Sequence, residues 1–107
     1  MCGSVPLNLI LPAEERFGLS SQARRAAHSV AANIAEGCAK KGKPEFRRYL
    51  NISLGSLSEL SYTLWLAKDL AILSEDEWST LDQLHQKAGG MTWLLYKSLL
   101  PQKETAR

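Results

Sequence analysis

The stretch from Leu19 to Gly37, LSSQARRAAHSVAANIAEG, constrains the fold of this chain more than any other. Its small and apolar residues fall at Ala23, Ala26, Ala27, Val30, Ala31 and Ile34, with Cys38 just beyond. That is the three-four spacing of a helix with one buried stripe. Most of the stripe is alanine, which lets a neighbouring helix approach at the short end of the usual interaxial range. Ser20 or Ser21 can cap the amino end, and Gly37 or Gly42 can supply a left-handed terminator at the other. The pattern predicts a helix over about 20–39. Along it runs a second, polar line of Arg25, Ser29, Asn33 and Glu36. Such a line is either a solvated face or a buried network that fixes the register of packed helices.

The linker CAKKGKP follows, joining a basic run to Gly42 and Pro44. Proline is favoured in a first helical turn, so a second helix is expected over about 45–71. At 1.5 Å per residue it would be roughly 40 Å long. Phe46, Leu50, Leu54, Leu57, Leu60, Leu64 and Ala67 form its main stripe, while Tyr49, Ile52, Tyr62, Trp65 and Leu66 spread over other faces. A helix apolar on several sides is central to its fold or lies between subunits. Gly55 in its middle costs about 1 kcal/mol against alanine, and close approach of another helix, expected against the alanine stripe, would explain it. Ser74 and Glu77 then read as a capping box, placing a third helix over about 75–99, ahead of Pro101. Trp78, Leu81, Leu84, Ala88, Met91, Leu95 and Leu99 are its apolar positions. Gly89 and Gly90 predict a kink or a close crossing. The tail 102–107 is expected to fray.

A chain of 107 residues suits one domain. It has no apolar run near the ~18 residues a membrane span requires. The opening MCGSVPLNLIL lacks a basic leader and a clear cleavage site, so it is a poor signal peptide. Cys2 and Cys38 have no partner motif, and Cys38 falls on the expected buried stripe, which suits a reduced cytoplasm. The net charge of +2 hides an asymmetry. Between Arg16 and Arg48 eight basic residues face two acids, whereas the rest of the chain holds five basic residues and nine acids. Such a bipolar chain can attract a polyanion or its own neighbour in an oligomer.

The run QARRAAHSVAANIAEG, followed by KPEFRRYLNISLGSLSEL, also carries a family signature. Arg24 and Arg25, Ser29, the Asn33–Gly37 block, the aromatic–arginine stretch and Gly55 to Glu59 resemble the four helix bundle protein family, also called the 23S rRNA intervening-sequence protein family. The likeness extends more loosely from Pro12 to Leu100. It implies an all-helical bacterial protein, commonly a homopentamer, with no known enzymatic activity. Some relatives accompany retroelement reverse transcriptases and bind RNA. The family usually has a full first helix before the position of Pro12, and the family's turn into the second helix corresponds to Glu14–Leu19. Here only a dozen residues precede that turn. Either the true start lies upstream, or Leu7, Leu9, Ile10 and Leu11 form an apolar plug against three long helices. The expected architecture is therefore an all-α, antiparallel up-down bundle with a short or truncated first helix, assembled into a ring-like homo-oligomer.

Reactive chemistry is sparse. His28 and His85 fall on different helices without a cysteine or carboxylate at ligand spacing, and the Glu-x-x-His pattern of di-iron bundles does not occur. Neither Ser29 nor Ser53 sits in an acyl-transfer motif, and there is no phosphate-binding loop. No catalytic, metal or cofactor residue is expected, and no small-molecule substrate. Glu36 and Glu59 read as hydrogen-bond or ion-pair partners, joining Arg25, Ser29 and Asn33 as candidates for a buried polar network. Two classes of function remain. An oligomeric scaffold would use Tyr49, Tyr62, Trp65 and Trp93 at subunit interfaces. A nucleic-acid accessory would bind structured RNA, or serve a reverse transcriptase, through Lys40, Lys41, Lys43, Arg47 and Arg48.

Overall fold

A computed structural model describes residues 13–101 of the chain. The apolar plug expected within residues 1–12 and the frayed tail expected over 102–107 lie outside the described residues. Those described form three helices and no strand: α1 (Ala13–Ala39), α2 (Lys43–Asp69) and α3 (Glu75–Ser98). Helix α1 starts about seven residues before the expected position. Glu14 and Glu15 lie in its first turn, where carboxylates complement the positive helix end. The segment Glu14–Leu19 is thus helix rather than turn, and Gly18 lies within it.

Helix α1 ends at Ala39, and Gly42, whose φ of 90° favours glycine, stands immediately before α2 as its first capping residue. Gly37 is instead a buried interior residue of α1. A Cβ there would stand 2.8 Å from Phe46 Cδ1 and 2.9 Å from Tyr49 Cβ, so this glycine makes the close crossing with α2. Gly55, expected to do so, is exposed with nothing within 4 Å of its Cβ position. Gly89 and Gly90 have similar open surroundings, and α3 continues through them.

Pro44 stands in the first turn of α2, and Arg47 reaches from that turn to donate a 2.6 Å hydrogen bond to the carbonyl of Leu99, just past α3. Helix α2 closes on Leu70, with Ala71 left-handed at φ 63°. The amide of Ile72 donates to Ala67 O and that of Ala71 to Lys68 O, the paired bonds of a Schellman ending. The capping box of α3 is complete: Ser74 Oγ accepts from the Glu77 amide, and Glu77 Oε1 accepts from the Ser74 amide. Lys68, 4.4 Å from the Trp78 ring centre and 3.9 Å from Glu75, ties the α2–α3 turn together.

Helix α2 is central. It packs along α1 on one side and α3 on the other, while α1 and α3 scarcely meet. Gly37 faces Phe46, Val30 faces Ser53 and Ser29 faces Ser56, so α1 and α2 run in opposite directions. His85 against Leu57 and Arg47 against Leu99 give the same sense for α2 and α3. Among the described residues the buried apolar ones are few: Ala26, Leu50, Leu57 and Ala67. Of the alanine stripe only Ala26 is buried, and Cys38 is exposed, contrary to the expectation that it would be covered.

Candidate interaction groove

Because α1 and α3 both pack on α2 but hardly on each other, a groove opens between them with α2 as its floor. Ala23, Ala27, Val30 and Ile34 form one wall, spaced by four, three and four along α1. Leu81, Leu84, Ala88, Met91 and Leu95 form the other, at matching spacing along α3. Leu57, Leu60 and Leu64 supply the floor. Two adjoining hollows of about 430 Å³ each share Val30, Leu84 and Ala88, so the groove is continuous. From Leu81 to Leu95 it runs about 21 Å, four helical turns. The charged side chains on its walls are Arg24 and Lys87. The polar His85 is held back by a 2.6 Å hydrogen bond between Nε2 and the Leu57 carbonyl. The alanine stripe is therefore divided: Ala26 meets α2, while Ala23 and Ala27 face the groove.

Three further clusters correspond to residues singled out above. At the α1–α2 seam, Ser29 Oγ lies 2.8 Å from Ser56 Oγ, and Asn33 Nδ2 donates to the Ser29 carbonyl at 2.8 Å and to its hydroxyl at 3.1 Å. Ser53, fully buried, donates to the Val30 carbonyl at 2.9 Å. Short hydroxyls are needed here because the helices are close. Arg25, Glu36 and Glu59 lie outside this seam, all three exposed: Arg25 donates to Ser21, and Glu36 pairs with Lys40 at 3.6 Å. Ser53 and Ser56 complete the seam in their place. Both fall on the α1-facing side of α2, where a helical period places residues three apart.

The basic candidates gather at the α1–α2 turn but do different jobs. Arg47 is half-buried and committed to Leu99. Arg48 pairs with Glu45 at 3.4 Å and stacks 4.8 Å from the Tyr49 ring centre, with Lys40 5.8 Å from the same ring. Lys41 and Lys43 are exposed. Tyr49 is thus engaged inside the chain, half-buried beside Gly37. The other three aromatics point outward: Tyr62 is 63% exposed, Trp65 47% and Trp93 48%, the last stacked on Tyr96.

Among the described residues, no group of three or more His, Cys, Asp or Glu could hold a metal ion, and no helix is long and apolar enough to cross a membrane. The geometry is that of an all-helical protein whose distinctive surface is apolar. The chain belongs to the 23S rRNA-intervening sequence protein family, whose model matches residues 5–93. No curated protein matches it.

Proposed function

We propose that this protein is a non-catalytic, homo-oligomeric scaffold, pentameric and cytoplasmic, that works by protein contact and needs no cofactor. The observation that carries this is the imbalance between what the chain buries and what it shows. Among the described residues four apolar ones are buried, against eleven large apolar residues that stay exposed, Leu84, Met91 and Leu94 each by 60% or more. Contiguous apolar surface on that scale marks interaction sites. Tyr62 and Trp65 on α2 and Trp93 and Leu94 on α3 lie off the groove walls. A closed ring with head-to-tail contacts would cover such faces on every subunit alike. Light scattering at low micromolar concentration should give about five times 11.9 kDa. A monomer mass would overturn the proposal.

The lysines at the α1–α2 turn favour a second reading, in which a ring repeats a weak basic patch and binds structured RNA by avidity. Arg47 is not part of that patch. Exchange of Lys40, Lys41 and Lys43 for glutamate should abolish RNA retention at about 0.15 M salt while leaving helicity and mass intact. Retention equal to the parent's would remove this surface as the site.

A further inference from the structure

The fold separates charge along its length and gathers at one end side chains that lie far apart in the sequence. Antiparallel packing puts Lys40, Lys41, Lys43 and Arg48, around the α1–α2 turn, beside the end of α3, where Arg47 holds the Leu99 carbonyl. Trp93, Tyr96 and Lys97 lie in the final turns of α3. The two rings stack with centres 5.7 Å apart and planes 15° from parallel, and Lys97 Nζ stands 6.0 Å from the Trp93 ring centre. Glu36 and Glu45, the described acids at this end, pair with Lys40 and Arg48. Among the described residues Lys41, Lys43 and Lys97 pair with no carboxylate. The opposite end is acidic: Glu14 and Glu15 open α1, and Glu75, Asp76 and Glu77 open α3. We propose that the basic end binds an unpaired stretch of RNA, one base laid on the Trp93–Tyr96 stack and the phosphates drawn by Lys97, Lys41 and Lys43. This rests on the RNA reading above and adds which form of RNA the surface selects.

Lysines alone attract a phosphate backbone of any shape, and paired RNA, with its denser charge, satisfies them at least as well as a single strand. An aromatic stack offers something only an unpaired base can use, because paired bases are already covered by their neighbours. Trp93 remains 48% exposed although Tyr96 lies against it. Tyr96 holds the indole in one orientation, so less side-chain freedom is lost when a base is added. Lys97 follows Trp93 by one helical turn and reaches the phosphate beside that base. Lys41 and Lys43 meet the strand farther on. Stacking engages the face of a base rather than its edge, so the site tolerates many sequences. Neither ring lines the groove between α1 and α3, and the site does not depend on what fills it. The sequence keeps Lys41 and Lys43 a whole helix away from Trp93 and Lys97, and the chain reversal at 70–74 brings them to one end.

Fluorescence anisotropy of labelled RNA, titrated with the full chain at about 0.15 M salt, tests this. An RNA hairpin with a loop of about eight nucleotides should bind about fivefold tighter, or more, than a fully paired RNA of equal phosphate number. The same hairpin with an abasic loop keeps every phosphate and should lose that advantage, an arm that needs no altered protein. Trp93→Ala should remove the preference with helicity and oligomer mass unchanged. Trp93→Phe, which keeps a ring, should retain it, and Trp93→Leu should not. Equal binding of looped, abasic and paired RNA by the parent overturns the stacking proposal and leaves the lysine patch standing. A preference that survives Trp93→Ala also overturns it. A fall in oligomer mass with Trp93→Ala assigns the stack to subunit contact and does the same. Failure of the parent to retain any of the three RNAs at about 0.05 M salt sinks the RNA reading, and this proposal with it.

Discussion

Replacing Gly37 with alanine should destabilise the protein, although alanine is the better helix former. In an open helical position the exchange gains about 1 kcal/mol. At Gly37 the new methyl would lie 2.8 Å from Phe46 Cδ1 and 2.9 Å from Tyr49 Cβ. The Phe46 ring can swing away, but Tyr49 Cβ is fixed to the α2 backbone, so relief requires the helices to separate. Separation strains the Ser29–Ser56 contact and the Ser53 bond to Val30, next along the same seam. Overpacking of this kind costs about 1–3 kcal/mol, and each strained hydrogen bond adds up to about 1 kcal/mol. After subtracting the propensity gain, the sum spans about 0–4 kcal/mol, with a net loss of about 2 kcal/mol at its centre. For a domain of this size a loss of about 2 kcal/mol lowers Tm by roughly 8–16 °C.

Gly55→Ala is the matched control. It also lies inside a long helix, but nothing stands within 4 Å of its Cβ position. It should gain close to the full propensity term, about 1 kcal/mol, and raise Tm by roughly 4–8 °C. Thermal melts followed by far-ultraviolet circular dichroism, at one protein concentration, give both values. If Gly37→Ala raises Tm as Gly55→Ala does, the close crossing does not exist and the seam is looser than described.

Ala71→Gly should stabilise by about 0.5–1 kcal/mol in urea denaturation, because glycine relieves a left-handed backbone that alanine holds at φ 63°. A destabilised variant would show that Ala71 makes contacts outweighing that strain. Arg47→Ala removes a charge-assisted hydrogen bond to the Leu99 carbonyl and should cost about 1.5–3 kcal/mol, read from the same denaturation curves. A loss below about 0.5 kcal/mol would place Arg47 with the ordinary surface arginines.

Local signals in the sequence were legible, and signals that depend on a distant partner were not. Ser74 and Glu77 satisfy each other within one turn, so their box could be read before any packing was known. Gly37 stands just before a basic, glycine-containing linker and so reads as a helix terminator. Its actual role is set by Phe46 and Tyr49, which meet it only after the chain has reversed. Gly55 looked like the crossing because it interrupts a long helix, but it faces away from both neighbours. The start of α1 carries a usable signal, Pro12 followed by Glu14 and Glu15, which competes with Ser20 and Ser21 as caps and with the resemblance of Glu14–Leu19 to the family's turn. Helical spacing identified the alanine stripe as apolar but could not divide it between α2 and the groove, since that depends on where α3 lies.

That division has an energetic consequence. Among the described residues, the two groove walls and the outer faces of α2 and α3 together leave more large apolar side chains exposed than are buried. The core that the described residues form, Ala26, Leu50, Leu57 and Ala67, is small, and small cores supply only a few kcal/mol. In the proposed ring, folding and assembly therefore draw on the same surface and should be coupled. By mass action, a tenfold rise in concentration stabilises each chain of such an assembly by about 1 kcal/mol, equivalent to roughly 4–8 °C in Tm. Melts over a hundredfold concentration range measure this directly. A Tm that does not move across that range would mean that the three helices hold together unaided, and subunit contact would lose its energetic basis.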